Sequence, residues 1–401
     1  IDAAVSGDNV YIKDGTYVTD AIIVPKGISI TGQSRSGVII SGGDSDEIAF
    51  DMRNYNTVTQ TSRLTTLERE WDSAVGDGTA TATYGSTLVT LSQPVLAQTE
   101  TGFISLDGVD YSIVATPTTS TLTLGEEYQS SNNTFLPYQI REGTKNTITL
   151  VENLTVTTTS TGFGAFDALG IDMSDSADIH LKNVTVDVRL GFIGAIVCER
   201  SYKNYFENVE VICSTGNAIV YGASWLCTAT NLNIMGGIEF KSGGSQKPNY
   251  RLTIDINRIN SDRDHRGIFF QNGGGFFRGS LSIKSYTGEL GQTPIQGFNG
   301  GFVQSVLRVD YLKVAYPGPT GIDFDQDVIE GNTFHFGWIE VPGHTTEIIN
   351  IKSHDSTAGR ANVIVSGTLI GTAGVQGCVV GSAVQADAYA DTPVQNNGYT
   401  F

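Results

Sequence analysis

Residues 237–243 read GIEFKSG, and the same signature returns as GIFFQNG at 267–273 and GIDFDQD at 321–327. Each copy opens on a small residue, continues with Ile and sets a second large apolar residue two positions later. Apolar residues at i and i+2 are the mark of a strand with one buried face. Worked outward, the signature reaches back to AIVYGAS (218–224), AIVCERS (195–201) and GIDMSDS (170–176). It runs forward through PIQGFNG (294–300), IINIKSH (348–354) and GCVVGSA (377–383). Successive copies lie 19 to 30 residues apart, too far for leucine-rich repeats and too unevenly for a propeller. Between them recurs a second alternating strand: KNVTV from Lys182, ENVEV from Glu207, TNLNI from Thr230, LSIKS from Leu281, LRVDYLKV from Leu307 and FGWIEV from Phe336. The pattern predicts an all-β chain wound as a right-handed parallel β-helix, one rung per repeat.

Strand alternation assigns a direction to every position. One inward column is Ile171, Ile196, Ile219, Ile238, Ile268, Ile295, Ile322, Ile349 and Cys378; the second is Met173, Cys198, Tyr221, Phe240, Phe270, Gly297, Phe324, Ile351 and Val380. Outward run Asp172, Val197, Val220, Glu239, Phe269, Gln296, Asp323 and Asn350, and beside them Ser174, Glu199, Gly222, Lys241, Gln271, Phe298, Asp325 and Lys352. Val197, Val220 and Phe269 are expected to be exposed as an apolar patch on one sheet, of the kind that marks a partner or ligand surface. Register is least secure at Glu239, where a step of 19 residues is followed by one of 30, and a slip of one residue would turn Glu239 and Lys241 inward.

The chain has 401 residues with 42 acidic against 24 basic, a net charge of −18 that argues against nucleic acid or an anionic membrane surface as partner. No apolar run of about 18 residues exists, so no membrane-inserting helix is expected. Four cysteines (Cys198, Cys213, Cys227 and Cys378) show no CxxC pairing, and His180, His335, His344 and His354 show no HExxH spacing. Buried free thiols and no transition-metal centre follow. Residues 1–60 carry their own alternating strands and read as opening rungs. Residues 61–141 break the pattern with short strands and tight turns and read as an inserted small barrel or sandwich. Residues 142–384 form the main β-helix, and 385–401 a polar tail. The chain opens at Ile1 in mid-pattern and reads as a fragment or processed product.

Two stretches resemble known proteins. The turn-strand GDNVYIKDGTY (7–17) followed by VPKGISITG (24–32) resembles the opening of pectate-lyase-like β-helix proteins. The block from Gly78 to Thr90 and the strand pair from Tyr111 to Tyr128 resemble an inserted β module of phage tail proteins. Together they look like a bacteriophage tailspike or tail-fibre depolymerase. That resemblance implies a homotrimer that binds and cuts a bacterial surface polysaccharide (capsule or O-antigen). It also implies attachment to phage tail or baseplate proteins through a missing N-terminal part, and a place on the virion tail, acting outside the bacterium. It assigns no catalytic residue.

The outward columns are where chemistry on a solenoid must be sought. Glu239 and Lys241 share one face of one strand. The segment NSDRDHRG, with Asp264 flanked by Arg263, His265 and Arg266, leads into the next rung, where Phe269, and Phe298 beyond it, offer ring faces to a sugar. The group reads either as a site or as solvated surface or an inter-subunit ion-pair layer. Asp323 and Asp325 form a second pair, fit for hydrolysis, for Ca²⁺ together with Asp327, or for a merely acidic surface. Glu199 is a further candidate. Hydrolysis needs one carboxyl to protonate the leaving oxygen and another to activate water. Elimination beside a uronic acid would instead use Lys241, Arg263, His265 and Arg266 as base and charge partners. The surplus of outward carboxylates favours hydrolysis over a lyase. A non-catalytic adhesin is the third reading, and no cofactor is required apart from the Ca²⁺ alternative.

Overall fold

A computed structural model describes residues 4–19, 22–24, 27–42, 48–52, 79–92, 102–106, 109–118, 120–130, 133–142, 148–158, 169–174, 176, 178–188, 194–199, 201–222, 224–241, 249–261, 267–271, 276–289, 293–297, 301–315, 320–330, 332–342, 347–353, 360–371, 376–380 and 385–390. Among these there is no helix, and so none that could cross a membrane. The chain divides into two units, residues 1–53 with 148–401, and residues 54–147.

The larger unit is a parallel β-helix. Every ladder in it is parallel, and each strand pairs with its counterpart on the next rung. The aliphatic column is continuous in the pairings Ile171↔Ile196↔Ile219↔Ile238↔Ile268↔Ile295↔Ile322↔Ile349↔Cys378. The isoleucines are buried to 1% exposure or less, each burial stabilising the fold by about 1.5–3 kcal/mol. The second column stacks rings, because parallel strands ~4.8 Å apart hold like residues at stacking distance. Tyr221 lies 5.6 Å from Phe240, and Phe240 4.7 Å from Phe270, with planes 10° apart in each pair. Phe276, Phe302, Phe324 and Phe334 continue this aromatic interior.

The short step before Glu239 has a local cause. Thr228–Lys241 is one unbroken strand that passes from one face of the solenoid to the next through Gly236 and Gly237 with no loop between. Gly236 has φ +131°, and a Cβ there would meet Cys213 O at 3.1 Å and Ala218 Cβ at 3.2 Å. The register is therefore the expected one: Val220↔Glu239↔Phe269, with Ile238 and Phe240 inward at 0% exposure.

Another turn is built by asparagines in left-handed backbone. Asn153, Asn183, Asn208 and Asn231 have φ between 53° and 57°. Asn183 Nδ2 donates to Asn153 Oδ1 (2.6 Å), Asn208 Nδ2 to Asn183 Oδ1 (2.9 Å) and Asn231 Nδ2 to Asn208 Oδ1 (3.1 Å). Asparagine tolerates this conformation, and its amide can both donate and accept along the stack. Cys198, Cys213 and Cys227 are buried free thiols. Burial pushes Cys198 well up and Cys227 up to about 12. Gln385–Ala390 pairs in parallel with Arg360–Val365, and so adds a strand to the stack.

The smaller unit holds a closed antiparallel barrel of six strands, Thr79–Ala82, Leu88–Leu91, Gly102–Leu106, Val109–Thr118, Thr121–Leu124 and Asn133–Glu142. It has its own core of Ala80, Ala82, Val89, Leu91, Ile104, Leu106, Tyr111, Ile113, Leu122, Leu124 and Tyr128.

Candidate functional site

Glu239 lies on the outer face of its strand, between Val220 and Phe269 on the neighbouring rungs. It is only 8% exposed, and its Oε2 accepts a 2.7 Å hydrogen bond from Asn217 Nδ2. Asn217 pairs with Gly237 where the ladder shifts register, and that irregularity aims its amide at the carboxyl. Its own Oδ1 is buried without a hydrogen-bond partner. This sets a carboxyl withdrawn from water beside a buried amide oxygen that no described residue satisfies, an arrangement that calls for an explanation.

Two residues beyond Glu239, Lys241 forms an ion pair with Glu199, which sits two rungs away in the same outward column. Gly222 occupies the rung between them. A Cβ there would meet Glu199 Cγ at 3.1 Å and Lys241 Cγ at 3.4 Å, so the missing side chain is what lets the two chains meet. Glu199, Lys241 and Glu239 are thus gathered on one outer face, with half-buried Phe269 on the following rung.

The remaining candidates are placed differently. Asp323 is three strand steps from Glu239, ~14 Å along the solenoid, so these two carboxyls do not form a pair. Asp323 is half-buried and accepts from Asn350 Nδ2 at 2.8 Å. Asp325 pairs by its backbone with Lys352. Its side chain and that of Asp327 lie outside the described residues, as do Arg263, Asp264, His265, Arg266 and Phe298 entirely. Among the described residues no three acidic, His or Cys side chains converge as a metal site.

The outer face is less open than the alternation implies, which corrects one expectation. Val197 is 4% exposed and Val220 0%, so neither offers a sugar platform or a subunit contact. The chain entering the rung at Gly194 lies over them: a Cβ on Gly194 would meet Val220 Cγ2 at 2.9 Å and Val197 Cγ2 at 3.4 Å. Two residues went unrecognised in the sequence. Asn217 carries no signal of its own. Asp51 does: FDM at 50–52 repeats IDM at 171–173, and Asp51 pairs in register with Asp172, both residues being buried.

No family model matches the chain, and no curated protein matches it in sequence. Solved structures do. The tailspike gp49 of Pseudomonas phage LKA1 is 12% identical with a TM-score of 0.49, over 95% of this chain and 70% of its own. The tailspike gp61 of Pseudomonas phage phi297 is 10% identical at 0.42, over 96% and 68%. The gp54 tailspike of Acinetobacter baumannii bacteriophage AP22, solved in complex with A. baumannii capsular saccharide, is 10% identical at 0.41, over 98% and 74%. At these identities, and with every TM-score below 0.5, the three phage tailspikes stand as similar structures only, and the parallel β-helix rests on this chain's own strand ladders.

Proposed function

We propose that the protein binds a bacterial surface polysaccharide, a capsule or O-antigen, and cuts its glycosidic bonds by endo-hydrolysis, as a trimeric spike on a phage tail. The observation that carries the reading is the gathering of Glu239, Lys241 and Glu199 on one outer face in a chain where only 16% of residues are charged. The sequence resemblance supports the polymer class, and a fold alone would not.

In this reading Glu239 protonates the leaving glycosidic oxygen. A carboxyl screened from water and held by an amide is the kind of group that serves as a general acid. Glu199, held by Lys241, activates water. Two rungs (~9.6 Å) and two positions along the strand (~6.6 Å) separate their backbones, about 11.7 Å in all, so the side chains must lean toward each other to reach the ~6.5–9.5 Å between carboxyls that admits a water for inversion. Phe269 supplies an apolar face beside the acid. Asp323 with Asn350 lies far enough along the solenoid to bind a different sugar of the same chain.

A lyase uses the same face otherwise. Lys241 is the one described cation on the Glu239 strand; its ammonium would neutralise a uronate carboxylate while Glu239, as the carboxylate, takes the proton beside it. Incubation with purified capsule separates the readings. Hydrolysis yields new reducing ends with no ultraviolet-absorbing product, elimination yields an unsaturated product that absorbs, and an adhesin binds and yields neither.

A further inference from the structure

A second turn of the solenoid also runs in left-handed backbone, and it is built from other residues. Asp178, Lys203, Leu226, Arg251, Arg278 and Gln304 take φ between 48° and 55° on six successive rungs. Left-handed backbone favours Gly and Asn, and this chain places Asn at every described left-handed position of its other turn column. Lys and Arg have no conformational reason to stand there. A costly residue held at a strained position is a sign that its side chain is required.

The side chains converge on one arrangement. Just before the turn, Tyr202, Trp225, Tyr250 and Phe277 pair rung to rung on the face opposite the core residue Phe276. Lys203 Nζ lies 5.2 Å from the centre of the Tyr202 ring, and Arg251 Cζ 5.6 Å from that of Tyr250. Arg278 donates from Nη1 to Tyr250 Oη at 3.3 Å and from Nε to Gln304 Oε1 at 2.9 Å. The rings of Tyr202, Trp225 and Tyr250 are buried and that of Phe277 half-buried, whereas Lys203 and Arg251 are half-buried and Arg278 is exposed. The aromatics therefore brace a row of cations at the surface. The row borders the candidate site: Lys203 follows Glu199 by four residues on one rung, and Arg251 follows Lys241 by ten on another.

We infer that this row is a subsite for the acidic groups of an anionic polysaccharide, such as uronate carboxylates or pyruvate ketals. The inference rests on the polysaccharide reading above and narrows its substrate class. A net charge of −18 repels such a polymer, so binding it requires local cations, and Lys203, Arg251 and Arg278, two rungs and then one rung apart, can meet charges spaced along an extended chain. Arginine's planar fork suits carboxylates in particular.

The test uses the full chain and two sets of purified bacterial capsular polysaccharides, one bearing carboxyl groups and one neutral, with binding measured at low and high salt. Binding is expected only in the carboxylated set. It should fall at least tenfold at high salt, on carboxyl reduction of the bound polymer, and in the R251Q/R278Q double variant. Circular dichroism and melting of that variant should match the parent. If the double variant does not fold, Lys203→Gln, on a rung outside that pair, is read instead and must weaken binding at least threefold. Binding confined to neutral polymers, or unchanged by the substitutions, overturns this inference alone. No binding in either set overturns the polysaccharide reading and this inference with it.

Discussion

Glu199 and Lys241 belong to rungs two strands apart and are joined by an ion pair that passes over Gly222. With 27% of the Lys241 side chain and 24% of that of Glu199 still exposed to solvent, the pair adds no more than about 1 kcal/mol to stability, so its value lies in fixing two charged groups beside Glu239. Gly222→Leu would put a side chain between the partners. The groups it meets are flexible side-chain carbons rather than backbone, so folding should change by no more than about 1 kcal/mol. Cleavage of capsule should fall at least tenfold, measured as new reducing ends per unit time beside a melting curve of the same sample.

The interior ring stack makes a separate prediction. Phe270 touches Phe240, Phe276, Phe302 and Phe324, so Phe270→Ala opens a cavity with no nearby chain able to fill it. The expected loss is about 3–5 kcal/mol, read from the shift of a urea denaturation curve.

Asn183 both donates to Asn153 and accepts from Asn208 while holding a left-handed backbone. Asn183→Ala should cost about 2–3 kcal/mol through lost hydrogen bonds and a disfavoured conformation. Asn183→Gly, which keeps the conformation cheap, should cost about 1 kcal/mol less. Equal losses in the two variants would mean that backbone conformation contributes nothing at this turn.

Burial raises the thiols of Cys198 and Cys227 and encloses Cys213. In a Cys378→Ser background, none of the three should react with a thiol reagent at pH 8 until denaturant is added, and all three should react after it.

His180 packs edge-on to Tyr205, and loss of solvent lowers its pKa, Asp178 opposing by its charge. Its folded pKa therefore lies below the unfolded one, near 6.5, so the unfolded chain binds the proton first. This contribution to stability is whole above about pH 6.5 and is lost as pH falls toward the folded value. Melting temperatures taken from pH 7.5 down to 5 should decline, and His180→Gln should flatten that decline.

The fold was legible because a strand has a period of two: Ile268 and Phe270 announce an inward face, and eight further rungs repeat the pattern. Direction was legible in the same way, and Glu239 and Lys241 do point outward. Alternation cannot reveal what covers an outward residue. Val197 and Val220 are covered by chain at Gly194, a contact set by turn geometry that no periodicity encodes. Asp51 stayed hidden because the barrel insertion separates its rung from that of Asp172 by 121 residues of sequence, although the two are neighbours in space. Asn217 sits at a register shift, where spacing ceases to predict direction.

The rate at which Glu239→Gln cuts a purified capsule that the wild-type protein depolymerises, with binding to the same polymer measured alongside, tests the proposed chemistry most directly. The substitution keeps the shape of the side chain and the contact with Asn217 and removes the acid. Cleavage is expected to fall by about 10²–10⁴-fold while affinity stays within threefold of wild type. Cleavage at the wild-type rate would contradict the assignment of Glu239 as the proton donor.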